Sequence, residues 1–122
     1  MGAWVPEIVL PDGESLVWRA AVNWTHQGLA RGGHLALTSR ALQFQPNRVD
    51  AAAGARPWRL PLAEVRSVGV QPVTWWHLFS GGLRRRLRLD LVDGSVVLLV
   101  INGLDRRVRE VAAAVDAAHQ DG

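Results

Sequence analysis

Arg86-Leu87-Arg88-Leu89-Asp90-Leu91-Val92-Asp93-Gly94-Ser95-Val96-Val97-Leu98-Leu99-Val100-Ile101-Asn102-Gly103-Leu104 is the stretch that decides the fold. Leucine recurs at every second position from Leu87 to Leu91, with Arg86, Arg88 and Asp90 between, which is the repeat of a strand with one buried face. Asp93-Gly94 then supplies a tight hairpin turn, because glycine takes positive φ without steric cost. The returning run Val96–Ile101 is apolar on both faces and needs something packed over its back. The expected cover is the helix that follows. Leu104, Val108, Val111 and Val115 fall at steps of four, three and four, one stripe of an α-helix. Asn102 is the expected cap, with Asp105 three residues on. Asp105 with Arg109, and Arg106 with Glu110, are spaced as i,i+4 pairs.

Toward the N-terminus the two-residue repeat returns. Leu16, Trp18, Ala20, Val22 and Trp24 alternate with Val17, Arg19, Ala21 and Asn23, giving a half-buried strand of about ten residues. Residues 25–33 hold Gly28, Gly32 and Gly33 and read as a loop. Leu35 and Leu37, then Leu42 and Phe44, form the arms of a hairpin turning at Thr38-Ser39-Arg40, and Pro46 stops the second arm. Residues 47–57 lack a usable period and read as a flexible hairpin loop, with Gly54 and Pro57 confining the alanine run. Trp58 and Leu60 form a short strand that Pro61 restricts to a sheet edge or a strand end. Residues 61–65 make a corner before Val68 and Val70 alternate again. Seven short strands and one C-terminal helix make a mainly β chain.

The order and spacing of several pieces together resemble the pleckstrin-homology (PH)-like superfold, closest to GRAM and bacterial PH-like domains. These are Gly33-His34-Leu35-Ala36-Leu37-Thr38 with Leu42 and Phe44; Pro46-Asn47-Arg48 with Asp50; Trp58 followed by Pro61-Leu62-Ala63-Glu64-Val65-Arg66-Ser67-Val68; and residues 87–91 before Asp93-Gly94, the apolar strand and the helix. The resemblance covers residues 14–118, leaving 1–13 as a leader and 119–122 as a tail. It implies a barrel of seven antiparallel strands, the first four packed nearly orthogonally on the last three, with the helix capping one open end. It also implies a binding module: some members bind anionic lipids and many bind peptides.

The chain has 122 residues, a single domain's length, with 48% hydrophobic and 20% charged residues, a globular composition. Its net charge of +3 comes from 14 basic and 11 acidic residues. Every basic residue is arginine, so the high isoelectric point overstates the basicity. With no cysteine, disulfides, thiol catalysis and thiolate metal sites are excluded. The first residues lack a signal-peptide pattern, and the apolar run at 96–101 is far too short to cross a bilayer. A cytoplasmic protein is expected, with peripheral contact at the inner face of the membrane as a further expectation.

Nothing in the sequence forms a catalytic constellation. His26, His34, His77 and His119 lack metal-ligand spacing, Asp93 is engaged by its turn, and Asp90 has Arg88 on its own face. No nucleophile-elbow serine or phosphate-loop lysine occurs. The expectation is a non-enzyme with no cofactor and no metal.

One stretch stands out. Trp75, Trp76, Leu78 and Phe79 precede Arg84, Arg85, Arg86 and Arg88, setting an apolar patch beside four positive charges. Three readings stay open: the aromatics close a barrel end, they make a protein-interaction or self-association surface, or they contact anionic membrane lipid. Arg19 and Arg31 are secondary binding candidates, since lipid-binding relatives of this kind place basic residues on the first two strands. Binding to single-stranded nucleic acid is disfavoured, because the net charge is small and the acids are spread throughout. Trp18, Trp24 and Trp58 share the inward parity of their strands and are expected in the core. Trp4 stands in the leader.

Overall fold

In the computed structural model of the chain, the described residues are 10–26, 29–73 and 84–121. Seven antiparallel strands run in the order β1 (Leu16–His26), β2 (Leu29–Thr38), β3 (Ala41–Pro46), β4 (Trp58–Pro61), β5 (Val65–Gln71), β6 (Arg86–Leu91) and β7 (Val96–Ile101). A short helix, α1 (Arg48–Ala52), lies between β3 and β4, and a long one, α2 (Leu104–Asp121), closes the chain. The strands make one sheet in the order β4-β3-β2-β1-β7-β6-β5, with the pairing of β1 with β7 joining the first four strands to the last three. β4 and β5 are its two edges. A 3-10 turn at Leu62–Glu64 carries the chain from one edge to the other.

Alternation builds the core. Leu35, Leu37, Leu42, Phe44, Leu87, Leu89 and Leu99 point to one side, and Val111 and Val115 of α2 enter the same cluster. Each fully buried leucine contributes about 2 kcal/mol of transfer free energy. The helix is therefore a plug in the mouth of the folded sheet. It does not cover the back of β7, where Val96 is exposed and Val100 is buried. The Arg107 guanidinium lies 4.3 Å from the centre of the Trp18 ring, tying α2 to β1.

Several local expectations need correction. β1 and β2 together extend through much of the stretch read as a loop, and Gly32 and Gly33 are strand residues. Glycine is required there by close approach: a Cβ on Gly33 would stand 2.2 Å from the Gln45 carbonyl oxygen. Residues 47–57 contain α1, started by Asn47, whose side chain accepts the Asp50 N–H at 2.7 Å, and followed by Gly54 at φ 102°. Asn102 does not sit next to α2. Gly103 at φ 67° intervenes, and Asn102 Oδ1 instead accepts from Arg84 Nη2 at 3.3 Å. Among the described residues α2 pairs Arg107 with Glu110 at 3.1 Å, while Asp105 faces Arg85 at 3.7 Å.

The Asp93-Gly94 turn forms as expected, with Gly94 at φ 91° and Asp93 Oδ1 accepting the Ser95 N–H. Pro61 ends the edge strand β4.

Candidate functional site

The arginines beyond the aromatic stretch separate into two pairs. Trp75, Trp76, Leu78 and Phe79 lie outside the described residues. Arg84 and Arg85 are exposed just before β6, Arg84 reaching Asn102 and Arg85 loosely facing Asp105. Arg86, the first residue of β6, is 0% exposed, and burial pushes its pKa below the ordinary value. It cannot serve on an exposed cationic surface. Arg88 lies half-buried on the sheet, bonded to Asp90 at 3.1 Å and to Gln71 Oε1 at 2.7 Å. Its charge is neutralised where it stands. Hence Arg84 and Arg85 are the two that face solvent beside the aromatic stretch, with Val73, 40% exposed, on its other side.

The secondary candidates also separate. Arg19 is on the outer face of β1, where its charge and burial together act on His34 of β2. Burial comes first, and both hold the His34 pKa below its usual value. Arg31 pairs in register with Trp24, at the mouth of the barrel.

Three rings meet at that mouth. Trp24, Phe44 and Trp58 have centroids 5.4–5.7 Å apart, Phe44 stacked on Trp58 and Trp24 edge-on to Trp58. The expectation that Trp24 and Trp58 pack on the core holds, although both stay partly exposed. A cavity of about 310 Å³ opens beside them, bounded by Leu60, Leu91 and Val97 between edge strand β4 and the β6–β7 hairpin. On the other flank of the same tryptophans is a second cavity, about 300 Å³, reached by Arg31 and Arg56. Neither guanidinium forms an ion pair among the described residues. Arg56 carries no signal in the sequence, because the stretch around it has no period. The cue available was Trp24 opposite Arg31 once β2 is extended back through its glycines.

This architecture is that of known solved structures. The chain superposes on the Vps36 N-terminal PH domain with a TM-score of 0.64 at 19% identity, over 89% of this chain and 84% of that one. The chain has a PH-like fold. It is also similar to the hSac2 domain of the human phosphoinositide phosphatase Sac2, with a TM-score of 0.62 at 18% identity, covering 92% of this chain and 74% of that one. A C-terminal domain of an unknown protein from Leishmania infantum gives a TM-score of 0.62 at 14% identity, over 84% and 85%. No protein-family model and no curated protein sequence matches the chain. Within the PH-like frame, α2 is the C-terminal helix at one mouth and the Trp24–Trp58 cavities lie at the mouth between β4 and the β6–β7 hairpin. Among the described residues no helix is long and apolar enough to cross a membrane.

Proposed function

We propose that the chain is a non-catalytic binding module of PH/GRAM-like type that associates with protein, a second copy of itself in the first instance. The docking edge is the stretch of Trp75, Trp76, Leu78 and Phe79 together with Arg84 and Arg85. The observation that carries this reading is the solvent exposure of Arg84 and Arg85 where the chain enters β6, with exposed Val73 on the other side of the stretch. Arg85 keeps 55% of its side chain accessible, and among the described residues its ion-pair partner is exposed Asp105 at 3.7 Å. Tryptophan and arginine in combination are the residues that dominate binding energy at protein interfaces. Light scattering of wild type against a Trp75→Ala/Trp76→Ala variant tests the reading, which requires an assembly that the variant loses.

A second reading is supported by the other mouth. Arg31 and Arg56, free of ion pairs among the described residues, stand beside an apolar slot at Trp24 and Trp58. A cationic pocket next to an apolar one suits an anionic membrane lipid, which engages charge and hydrocarbon together. Flotation with anionic and neutral vesicles separates this reading from the first. Lipid binding through this mouth is lost in Arg31→Gln/Arg56→Gln and kept in the Trp75→Ala/Trp76→Ala variant.

A further inference from the structure

Two cavities adjoin at the Trp24–Trp58 mouth, and they differ in chemistry. The slot of about 310 Å³ between β4 and the β6–β7 hairpin is walled by Trp24, Trp58, Leu60, Leu91 and Val97. All five pack on the core, yet all but Leu60 stay partly exposed. α2 plugs the other mouth with buried Val111 and Val115, whereas here inward-facing apolar side chains are left at the surface. Apolar surface held in water favours an apolar occupant. Arg59 also borders the slot, but Glu14 grips its guanidinium at 2.7 and 2.8 Å, so its aliphatic stem is what it adds to the wall.

The adjoining cavity, about 300 Å³, shares both tryptophans and holds Arg31 and Arg56. Arg31 stands opposite Trp24 in the β1–β2 register, at an inward-facing position of the repeat that continues through Gly33 and Leu35. It is half-buried, and among the described residues neither guanidinium has a hydrogen-bond or ion-pair partner. Asp50 of α1 does not fill that role. Its Oδ2 accepts the Gly32 N–H at 2.9 Å, and Gly32 faces the side of β2 opposite to Arg31. A cation partly withdrawn from water with no anion beside it is unfavourable, and an anionic ligand relieves it.

We infer that this mouth takes up a single-chain anionic amphiphile, a medium-chain fatty acid, with its carboxylate at Arg31 and Arg56 and its chain in the slot past Trp24 and Trp58. The inference rests on the second reading above and narrows its ligand from a bilayer lipid to one acyl chain taken from solution. Volume sets the limit: about 310 Å³ is the share of about ten water-sized groups, enough for one chain of about ten carbons and not for two chains. Apolar walls with a few convergent polar groups are the usual build of a small-molecule site. A guanidinium presents paired donors that match a carboxylate.

The test is a titration of the ¹⁵N-labelled protein with sodium decanoate below its micelle concentration, following the indole N–H signals of Trp24 and Trp58. Decanoate should shift both saturably, and acetate, the head without the chain, should not. Each methylene withdrawn from water is worth about fourfold in affinity, so octanoate should bind about tenfold more weakly than decanoate. Arg31→Gln/Arg56→Gln should weaken decanoate by about tenfold or more, the scale of a charge-assisted hydrogen bond. Val97→Phe, which fills the slot with carbon alone, should abolish binding. Arg109→Gln, on the exposed side of α2, should leave it unchanged, and backbone amide spectra check that each variant keeps its fold. The inference is overturned if decanoate gives no saturable shift, if octanoate binds as tightly, or if Arg31→Gln/Arg56→Gln binds as wild type does. Flotation with anionic vesicles on the same preparations separates the two claims. Arginine-dependent flotation without decanoate binding overturns the single-chain inference and leaves the second reading standing, whereas loss of both removes both.

Discussion

Glu14 holds Arg59 in a two-pronged grip, Oε1 taking Nη2 at 2.7 Å and Oε2 taking Nη1 at 2.8 Å. The Thr38 hydroxyl donates to the same carboxylate, and Thr38 Oγ1 accepts the backbone N–H of Arg40 and Ala41. One carboxylate therefore ties the residues before β1, the β2–β3 turn and edge strand β4. The pair fixes the position of Arg59 beside the Trp58 mouth.

Replacing Glu14 by Gln should cost about 1 kcal/mol at neutral pH, less than a fully buried pair would give, because Arg59 keeps 38% of its side chain exposed. The Arg59 hydrogen bonds, then those of Thr38, hold the Glu14 pKa below its ordinary 4.5. A carboxyl depressed on folding stabilises the protein above its unfolded value and loses that stabilisation as pH falls through the folded one. Urea denaturation of wild type and Glu14→Gln should accordingly converge as pH is lowered from 5 toward 3. A gap that widens instead would contradict the pairing.

His34 acts in the same direction but in a higher pH window. Burial, then the Arg19 charge, hold its pKa below 6.5, so the unfolded chain takes up a proton near 6.5 that the folded chain refuses. Stability should fall as pH drops below about 6.5 and be fully present above it. In His34→Gln that part of the slope disappears, which urea midpoints between pH 8 and 5 would reveal. Equal slopes in both proteins would remove His34 from the account.

Two glycines in strands should respond oppositely to alanine. At Gly33 the new Cβ meets the Gln45 backbone, a contact that cannot relax without breaking the β2–β3 register, and about 3 kcal/mol or more of stability should be lost. At Gly69 nothing lies within 4 Å, and the change should stay within about 0.5 kcal/mol. Comparable losses at the two positions would show that the β2–β3 approach is not as close as described.

Much of this architecture is legible wherever the two-residue repeat is unbroken. Leu87, Leu89 and Leu91, and Leu42 with Phe44, declare their strands and inward faces without help. The repeat fails at residues 28–33 because glycine has no side chain to mark a face, so the end of β1 and the start of β2 are read as a loop. α1 escapes notice for another reason: five residues show no stripe, and the Asn47 cap is its main signal. The arginine run at 84–86 looks uniform in sequence, yet strand pairing begins inside it, and Arg86 is buried on the face of β6 opposite Leu87 while Arg84 and Arg85 stay in solvent. Arg56 joins Arg31 only through tertiary folding of a stretch without period.

Arg88 and Asp90 offer a local check of the β6 face. Hydrogen bonds from Arg88, then from Ser67, hold the Asp90 carboxyl below its ordinary 3.8. Titration of its carboxyl carbon by NMR should place it below an unperturbed aspartate, and Arg88→Gln should move it back up. No movement would mean that Arg88 is not neutralised there, and the charge would return to the exposed set.

The measurement that bears most directly on the proposed function is solution mass by light scattering, run with vesicle flotation on the same preparations. Wild type should form a discrete species at twice the 13.4 kDa chain mass, Trp75→Ala/Trp76→Ala should be monomeric, and neither should float with neutral vesicles. A wild-type monomer that floats only with anionic vesicles, and keeps floating in the tryptophan variant, would contradict the protein-association account and move the binding surface to the Arg31–Arg56 mouth.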